Sequence, residues 1–425
     1  MNAKKKAAIV QQLIKLVDNT SEPFKEVKGR TKNMMSEGIA FSLANEFVDT
    51  FEDVARTLLQ DEGWGEKFSE KYVEGLLQKL LARTLRDGNS SNIEQYFNEI
   101  INEFTNYSQE CVVYLPLVGI QMSMEELPIG KVILKKMTDS SVGGLMSEIE
   151  QITQSLQYTP EEKAKILELE QRKIRDNIRN QVCSIFKVVA EPEQAKIRAE
   201  EETRRVLDLL RFAIPALYPK GFNVAIGLKG EVFRVSRCIP ILSTDGKFFN
   251  IHEHIVGPLI PFEINEPHLE RMIKIGMFKM SKVIAKLDKE LGDFERVVLR
   301  ALHWVANSQT QEESENKLLN LITCMETFLT PRDGNPIGTF IAEAVAILLA
   351  DNLENRKRLK KRVQELYRLR SAVSHGGRKA ILDTDLSELE KISGILTMTL
   401  IKRMDEFPTH KALFEWIESK KLGGE

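Results

Sequence analysis

Apolar residues recur at helical spacing along most of the first quarter of this chain. The longest such pattern comprises Ala40, Ala44, Phe47, Phe51, Val54 and Leu58. Apolar positions three and four residues apart lie on one face of a helix, so residues 1–106 are predicted to form a helical region. A structural or partner-binding role is the simplest interpretation of this region.

The hydrophobic period then changes from helical to alternating. Residues 111–122 form a short apolar run, and residues 131–137 alternate between apolar and polar side chains. Both patterns are typical of strands. Strand character returns at residues 222–237, where Lys229-Gly230 indicates a hairpin turn, and residues 247–251 are a candidate partner strand.

A long helix is predicted between these strand segments. Thr159 is suited to the N-cap, Pro160 to the first helical position and Glu162 to the first turn. Apolar residues at helical spacing continue from there toward Val189. Residues 107–265 are therefore predicted to form a mixed α+β region, with short antiparallel strands and a sensing or regulatory role.

The last third of the chain returns to helical spacing, and residues 266–425 are predicted to form a helical domain. Its amphipathic segments are residues 268–290, 294–305, 318–329, 337–350, 354–373 and 386–404. Asp385 and Glu388 are spaced as a capping box that would open the last segment. Short connections favour an antiparallel bundle. The expected fold class is mainly α, and α+β overall.

Composition indicates a globular protein with no general attraction to nucleic acid. Of 425 residues, 42% are hydrophobic and 29% are charged, with a formal net charge of −2. Such a length predicts two to three domains, and any RNA-binding surface must be a local patch. The four cysteines are far apart and read as reduced thiols. We find neither a membrane-spanning apolar run nor a clean secretory signal, so a cytoplasmic protein without membrane association is expected.

One of the C-terminal helices carries an arginine on its apolar face. The apolar stripe consists of Leu359, Val363, Leu366 and Val373. Arg370 falls in the middle of this stripe, and a buried guanidinium needs acceptors or an anion. His375 follows five residues later, and Gly376-Gly377 can take positive φ and end the helix. An arginine and a titratable histidine near a helix end can together serve phosphate chemistry.

The residues from Arg370 to His375, RSAVSH, match the Arg-x4–6-His motif of the HEPN superfamily. The surrounding sequence LYRLRSAVSHGG resembles the Apea-like branch of that superfamily. Upstream, residues 294–308, 317–331 and 341–349 occur in the order that this branch shows. The resemblance covers roughly residues 285–405, and it implies a HEPN-type antiparallel helical bundle.

This resemblance implies a metal-independent endoribonuclease that works as a homodimer, without a cofactor. His375 would take the proton of the 2′-OH or protonate the leaving 5′-oxygen, and Arg370 would hold the phosphate. Ser371 stands where the family usually has Asn, Asp or His, so it is expected to orient the histidine less firmly. Glu326, at the edge of its helix's apolar stripe, is expected to orient rather than catalyse. The family context implies a regulated toxin or an anti-phage defence effector.

Basic residues near the motif are candidates for RNA contacts. Arg378 and Lys379 follow the two glycines directly, and Arg368 precedes the motif arginine by two residues. The run RKRLKKR at residues 356–362 holds six basic residues on the same predicted helix. It is interpreted either as a ridge that follows the phosphate backbone or as a solvated helix face, which such runs usually are.

Three other observations leave alternatives open. Arg296 to His303 and Arg403 to His410 also fit a loose Arg-x6-His pattern, and the first is expected to serve packing. Residues 251–254, IHEH, offer two histidines on one strand face, but no third ligand is near in sequence, so no metal site is expected. No Walker A loop, GxGxxG, GxSxG or HExxH motif is present.

The alternative to a nuclease is a non-catalytic HEPN-fold scaffold that binds RNA or a protein. In that interpretation His375 caps a helix. Arg370 forms a structural ion pair, with Glu326 or Glu365 as the candidate carboxylate.

Overall fold

The computed structural model describes residues 1–21, 32–61, 63–218, 224–231, 235–242, 249–256, 260–330, 337–374 and 381–423. These residues contain fifteen α-helices and twelve strands, which confirms the mainly helical, α+β class. Two compact units are formed: Met1–Val113 with Phe186–Glu201, and Tyr114–Ile185 with Glu202–Glu425. The division into residues 1–106, 107–265 and 266–425 stays a prediction. Within the described residues, none of the helices combines the length and hydropathy needed to cross a bilayer.

The elements follow one another along the chain in this order. The sequence is α1 (Ala3–Asp18), β1 (Thr20–Ser21), β2 (Lys32–Ser36), β3 (Ile39–Leu43), α2 (Asn45–Leu59), α3 (Glu70–Asp87), α4 (Ile93–Asn106), β4 (Glu110–Val118), β5 (Ile120–Met122), β6 (Glu126–Ile129), β7 (Val132–Lys136), α5 (Asp139–Ser155), α6 (Pro160–Ile178), β8 (Val182–Val189) and α7 (Pro192–Leu217). Then come β9 (Gly227–Leu228), β10 (Val235–Leu242), β11 (Phe249–Val256), β12 (Phe262–Ile264), α8 (Glu266–Lys274), α9 (Met277–Ile284), α10 (Asp293–Ser308), α11 (Ser314–Leu329), α12 (Ile337–Leu349), α13 (Leu353–Ser374), α14 (Asp383–Lys402) and α15 (His410–Lys421).

The first unit is a helical core with a small sheet. Leu13, Phe51, Leu77 and Phe97 come from α1 to α4 and are fully buried together. The expectation that residues 1–106 are only helical is wrong, because β1, β2 and β3 form an antiparallel sheet and Ala40 lies in β3. Positive φ at Glu37 and Gly38 forms the two-residue turn that joins β2 to β3.

Strand β8 replaces the end of the predicted long helix. Helix α6 begins with a capping box between Thr159 and Glu162, as the sequence predicts, but it ends at Ile178. Asn180 takes a positive φ of 59°, which the helix cannot continue through. The β-branched run that follows pairs antiparallel with β7, with Ile133 opposite Ile185. These strands belong to a five-stranded sheet of order β6-β7-β8-β4-β9.

The predicted hairpin around Lys229-Gly230 is also corrected. A turn is present, since the Glu231 backbone N–H donates to the Leu228 carbonyl over 3.1 Å. However, β9 pairs antiparallel with β4. The hairpin that forms joins β10 to β11, and it includes part of the predicted strand at residues 247–251.

The predicted core stripes of the C-terminal helices are buried. Phe294, Val298, Ala301 and Val305 on α10, and Leu318, Ile322, Met325 and Leu329 on α11, are at most 1% exposed. Helix α10 packs against α11 and α14, and α12 packs against α13. These contacts support α13, the helix that carries Arg370.

Two boundaries in this region differ from the prediction. Residues 268–290 are not one helix, because Gly276 takes a φ of +97° between α8 and α9. An added Cβ there would lie 2.6 Å from Ile401, so glycine permits the chain to turn against α14. Helix α14 starts at Asp383, and the expected capping box is absent because Asp385 and Glu388 both accept hydrogen bonds from Arg362.

Candidate functional site

Helix α13 buries a stripe that bypasses Arg370. Val363 and Leu366 are fully buried, and Leu369 is 9% exposed. The Arg370 side chain is 38% exposed, so the expectation of a buried guanidinium in the middle of the stripe is wrong. The physical reason is tertiary packing. The helices packed against α13 cover Leu369, three residues after Leu366, and leave Arg370 at the edge of the contact.

Arg370 shares one carboxylate oxygen with a neighbouring tyrosine. Glu326 projects from α11, and its Oε1 accepts a hydrogen bond of 2.6 Å from the Tyr367 hydroxyl. Arg370 Nη2 lies 3.5 Å from the same oxygen. Tyr367 and Arg370 are three residues apart on α13, so their side chains meet on one face of the helix. Glu326 therefore orients both side chains.

The tyrosine keeps its proton at neutral pH. Burial of the ring and the nearby Glu326 carboxylate raise the pKa of Tyr367 to about 12, while the positive charge of Arg370 acts in the opposite direction. The protonated phenol therefore donates its hydrogen to Oε1 of Glu326. Tyr367 therefore uses part of the hydrogen-bond acceptor capacity of Glu326 Oε1, which would otherwise be available to Arg370 alone.

Gly338 gives the tyrosine ring its space. An added Cβ at Gly338, in the first turn of α12, would lie 2.6 Å from Cδ1 of Tyr367. Neither Gly338 nor Tyr367 was predicted from the sequence to belong to the site. The available signal for Tyr367 was its spacing, since it lies one turn before Arg370 on the same helix face. No comparable sequence signal points to Gly338.

The other predicted site residues divide into two groups. Ser371 and Arg368 are exposed on α13, and the Ser371 side chain makes no hydrogen bond to any described residue. Glu326, the other residue predicted to orient the site, contacts Arg370. His375, Arg378 and Lys379 lie outside the described residues, and α13 is described as far as Ser374, the residue before His375.

Much of the basic run at residues 356–362 is engaged in structural contacts. Arg362 lies 2.5 Å from Asp385, 2.8 Å from Glu388 and 3.3 Å from Glu365. These hydrogen-bonded carboxylates raise the pKa of the Arg362 guanidinium.

Two further basic residues of this run are also held. Lys360 pairs with Glu343 over 2.6 Å, and Arg356 Nε donates to the Ala350 carbonyl. Lys357, Arg358 and Lys361 are the exposed members of the run. Half of the basic residues of this run therefore make structural contacts, and the other half lie on the exposed face of α13.

The Arg-x6-His match from Arg296 to His303 has a different arrangement of contacts. His303 Nδ1 lies 2.8 Å from Oδ2 of Asp208, a nearly buried residue of α7. This hydrogen bond raises the pKa of His303, against the opposing effect of burial. Arg211 Nη1 lies 3.5 Å from the other Asp208 oxygen. Arg296 instead donates to the Asp288 carbonyl.

The Arg-x6-His match from Arg403 to His410 serves packing. His410 Nε2 lies 2.6 Å from the Phe328 carbonyl oxygen, and its ring packs against Phe414. Arg403 pairs with Glu406 over 2.6 Å and lies over the Trp416 ring. Neither side chain is available for phosphate chemistry in this arrangement.

The IHEH histidines lie in β11. His252 is opposite Ile239 and His254 is opposite Arg237 in the antiparallel ladder, and their side chains fall outside the described part of the structure. Among the described residues, no three His, Cys, Asp or Glu side chains are grouped so that they could hold one metal ion.

Comparisons of the chain with protein-family models, curated proteins and solved structures find no match.

Proposed function

We propose that this protein is a metal-independent endoribonuclease of HEPN type, in which two copies of the chain form a composite site. The observation that carries the proposal is the setting of Arg370. It lies in the last turns of a well-packed helix, five residues before His375, and is 38% exposed. The ion pair with Glu326 is long, at 3.5 Å between Nη2 and Oε1. Because a guanidinium has five N–H donors in a planar fork, the rest of the group can bind a phosphate.

The proposed reaction requires proton transfer and charge stabilisation only. The 2′-oxygen attacks the adjacent phosphorus, the bond from phosphorus to the 5′-oxygen breaks, and a 2′,3′-cyclic phosphate and a 5′-hydroxyl result. His375 of one copy takes the 2′-OH proton, and His375 of the second copy protonates the leaving oxygen. Arg370 binds the non-bridging oxygens and offsets the charge that develops on them.

Glu326 fits this chemistry as a positioning residue. A carboxylate bound to Arg370 alone would compete with the phosphate for the guanidinium. In this site the Tyr367 hydroxyl donates to the same oxygen, and it is the closer of the two donors. Sharing therefore fixes the direction of Arg370 without fully neutralising it, which favours an arginine that still binds an anion.

The wider assignment follows the same proposal. RNA is the substrate, with Arg368, Arg378 and Lys379 as further phosphate contacts and a second copy of the chain as the partner. A free ribonuclease would harm its host cell, so we assign this protein to the regulated toxins or anti-phage effectors of the cytoplasm. The remaining regions of the chain would then sense a trigger or restrain the nuclease.

The test is RNA cleavage by the purified full-length protein in excess EDTA. We expect products with 2′,3′-cyclic phosphate ends, and we expect His375→Ala to lower the cleavage rate by about 10²-fold or more with the Tm unchanged. His303→Ala is the matched control, because it removes a histidine at the other motif spacing and should keep the rate. Cleavage that needs a divalent metal, or that survives His375→Ala, contradicts the proposal.

A non-catalytic scaffold is the second candidate, and the ion pair between Arg370 and Glu326 favours it. A guanidinium held by a carboxylate is also a structural device that joins α13 to α11. A scaffold predicts that Arg370→Ala lowers the Tm and leaves RNA intact in every variant. The nuclease predicts that Arg370→Ala lowers RNA cleavage more than it lowers the Tm. Measuring the Tm and the cleavage rate of this one variant therefore separates the two candidates.

A further inference from the structure

A pocket of about 660 Å³ lies in the second unit, away from Arg370. Its walls are the end of α7, the second half of α10, Ile275, Lys317 of α11 and the first four turns of α14. This volume is within the range of small-molecule sites, roughly 300–1,000 Å³. We propose that this pocket binds an uncharged heteroaromatic small molecule with hydrogen-bonding groups along one edge. The inference does not depend on the ribonuclease proposal.

The apolar part of the pocket suits a flat ring. Phe212, Val305 and Leu386 are buried and line it, and Met398 adds a flexible thioether side chain. The Tyr218 hydroxyl accepts a hydrogen bond of 2.7 Å from the Glu263 backbone N–H and donates to the Pro261 carbonyl. Since its polar tip is used by the main chain, Tyr218 offers its ring to the pocket.

The polar part of the pocket offers donors and acceptors side by side. Gln309 Nε2 donates to Oε1 of Glu390 over 2.5 Å, and Lys317 Nζ lies 3.6 Å from the same oxygen. The four charged residues that line the pocket are Lys317, Lys391, Asp383 and Glu390. Their charges cancel, so the pocket gives no net attraction to an ion and favours an uncharged ligand with a polar edge.

Gly394 is an independent observation on the α14 wall of the pocket. It lies in the middle of α14, where glycine costs about 1 kcal/mol relative to alanine. An added Cβ would meet nothing within 4 Å, so packing in the described structure does not require glycine there. Gly394 lines the pocket. We infer that the missing side chain keeps this wall open for a ligand.

The experiment uses the full-length protein and saturation-transfer NMR. The probes are a library of uncharged heteroaromatic fragments that includes adenosine, guanosine, cytidine and uridine, each at about millimolar concentration. We expect fragments that bind the wild type and Gly394→Ala but lose binding at least about tenfold in Gly394→Trp, whose indole fills the pocket.

Gly75→Trp is the matched control. Gly75 lies inside α3, and an added Cβ there also meets nothing within 4 Å, so the same substitution is made on a helix of the first unit. It should leave fragment binding unchanged. If Gly394→Trp fails to fold by circular dichroism, Gly394→Leu replaces it with the same expected loss. The inference is overturned if no fragment binds the wild type, or if fragments bind the folded Gly394→Trp or Gly394→Leu protein as tightly.

Discussion

Arg370 and Arg296 are each followed by a histidine at similar spacing in the sequence, but a carboxylate contacts the arginine on α13 and the histidine on α10. On α13, Glu326 approaches Arg370 and shares its oxygen with Tyr367. On α10, Asp208 bonds to His303, while Arg296 contacts a backbone carbonyl. Spacing alone therefore does not assign chemistry to such a pair. The environment that the fold builds around each side chain does.

The two carboxylates also differ in how completely their charges are balanced. Asp208 lies between His303 and Arg211, so a nearly buried acid has two cationic neighbours when the imidazole is protonated. Glu326 is shared between a phenol and an arginine that is 38% exposed. The α10 acid is balanced by two basic groups, whereas on α13 a phenol supplies one of the two contacts to Glu326. This difference supports the proposal that the α13 arginine serves phosphate chemistry.

The largest expected difference between the two helices comes from removing the arginine of each in turn. Arg370→Ala should lower RNA cleavage by about 10²-fold or more, because it removes charge stabilisation from the transition state. Arg296→Ala should leave the rate nearly unchanged. Single-turnover cleavage of a labelled RNA measures both. Equal losses in the two variants would show that the helices do not differ in the way proposed.

Removing each carboxylate tests the difference in charge balance. Asp208→Ala leaves Arg211 and His303 without their shared acid, and we expect a loss of about 2–3 kcal/mol in the free energy of unfolding. Glu326→Ala should cost only about 1 kcal/mol, since solvent screens the half-exposed Arg370 and one hydrogen bond from Tyr367 is lost. Urea denaturation of both variants checks this order, and a larger cost for Glu326→Ala would reverse the comparison.

The shared oxygen of Glu326 gives a finer test. Tyr367→Phe removes the closer donor, which frees that oxygen for Arg370 and draws the guanidinium toward the carboxylate. We expect cleavage to fall roughly threefold to fivefold, in line with one hydrogen bond worth about 1 kcal/mol. An effect on KM larger than the effect on kcat would support competition between Glu326 and the phosphate. Unchanged kinetics would remove the positioning role of Tyr367.

The smallest expected effect is a pH dependence from His303. Its folded pKa is raised by Asp208, so the stabilisation is fully present below the unfolded value of about 6.5 and is lost as the pH rises through the folded pKa. Half of the imidazole is exposed, so the difference should be under about 1 kcal/mol. Unfolding free energies across this pH range should show the loss in the wild type, and it should disappear in His303→Gln and in Asp208→Asn.

Elements with a strong local signal could be predicted from the sequence. The stripes of α10 and α11 are buried where their spacing places them, and α6 begins at its Thr159 capping box. The failures have a common cause, which is that apolar residues fit more than one period. Residues 182–189 fit a helix by spacing but lie in a strand, because Asn180 breaks the helix and β7 offers hydrogen bonds to pair with.

The site was predictable only at the level of its helix. The spacing of α13 correctly gave a buried face with Val363 and Leu366, and Glu326 was a candidate partner of Arg370. The exposure of Arg370 depends on which neighbouring leucine turns inward, and that choice is made by the helices packed against α13. The position of Tyr367 depends on the approach of α12, which involves residues distant in sequence.

The close approach of Gly338 to Tyr367 couples the position of α12 to the site. Glu326 lies near the end of α11, and Gly338 lies in the first turn of α12. A substitution elsewhere in α12 that shifted this glycine relative to the ring would move Tyr367, with no change to any residue that touches Arg370. The direction of one guanidinium therefore depends on how a third helix is packed.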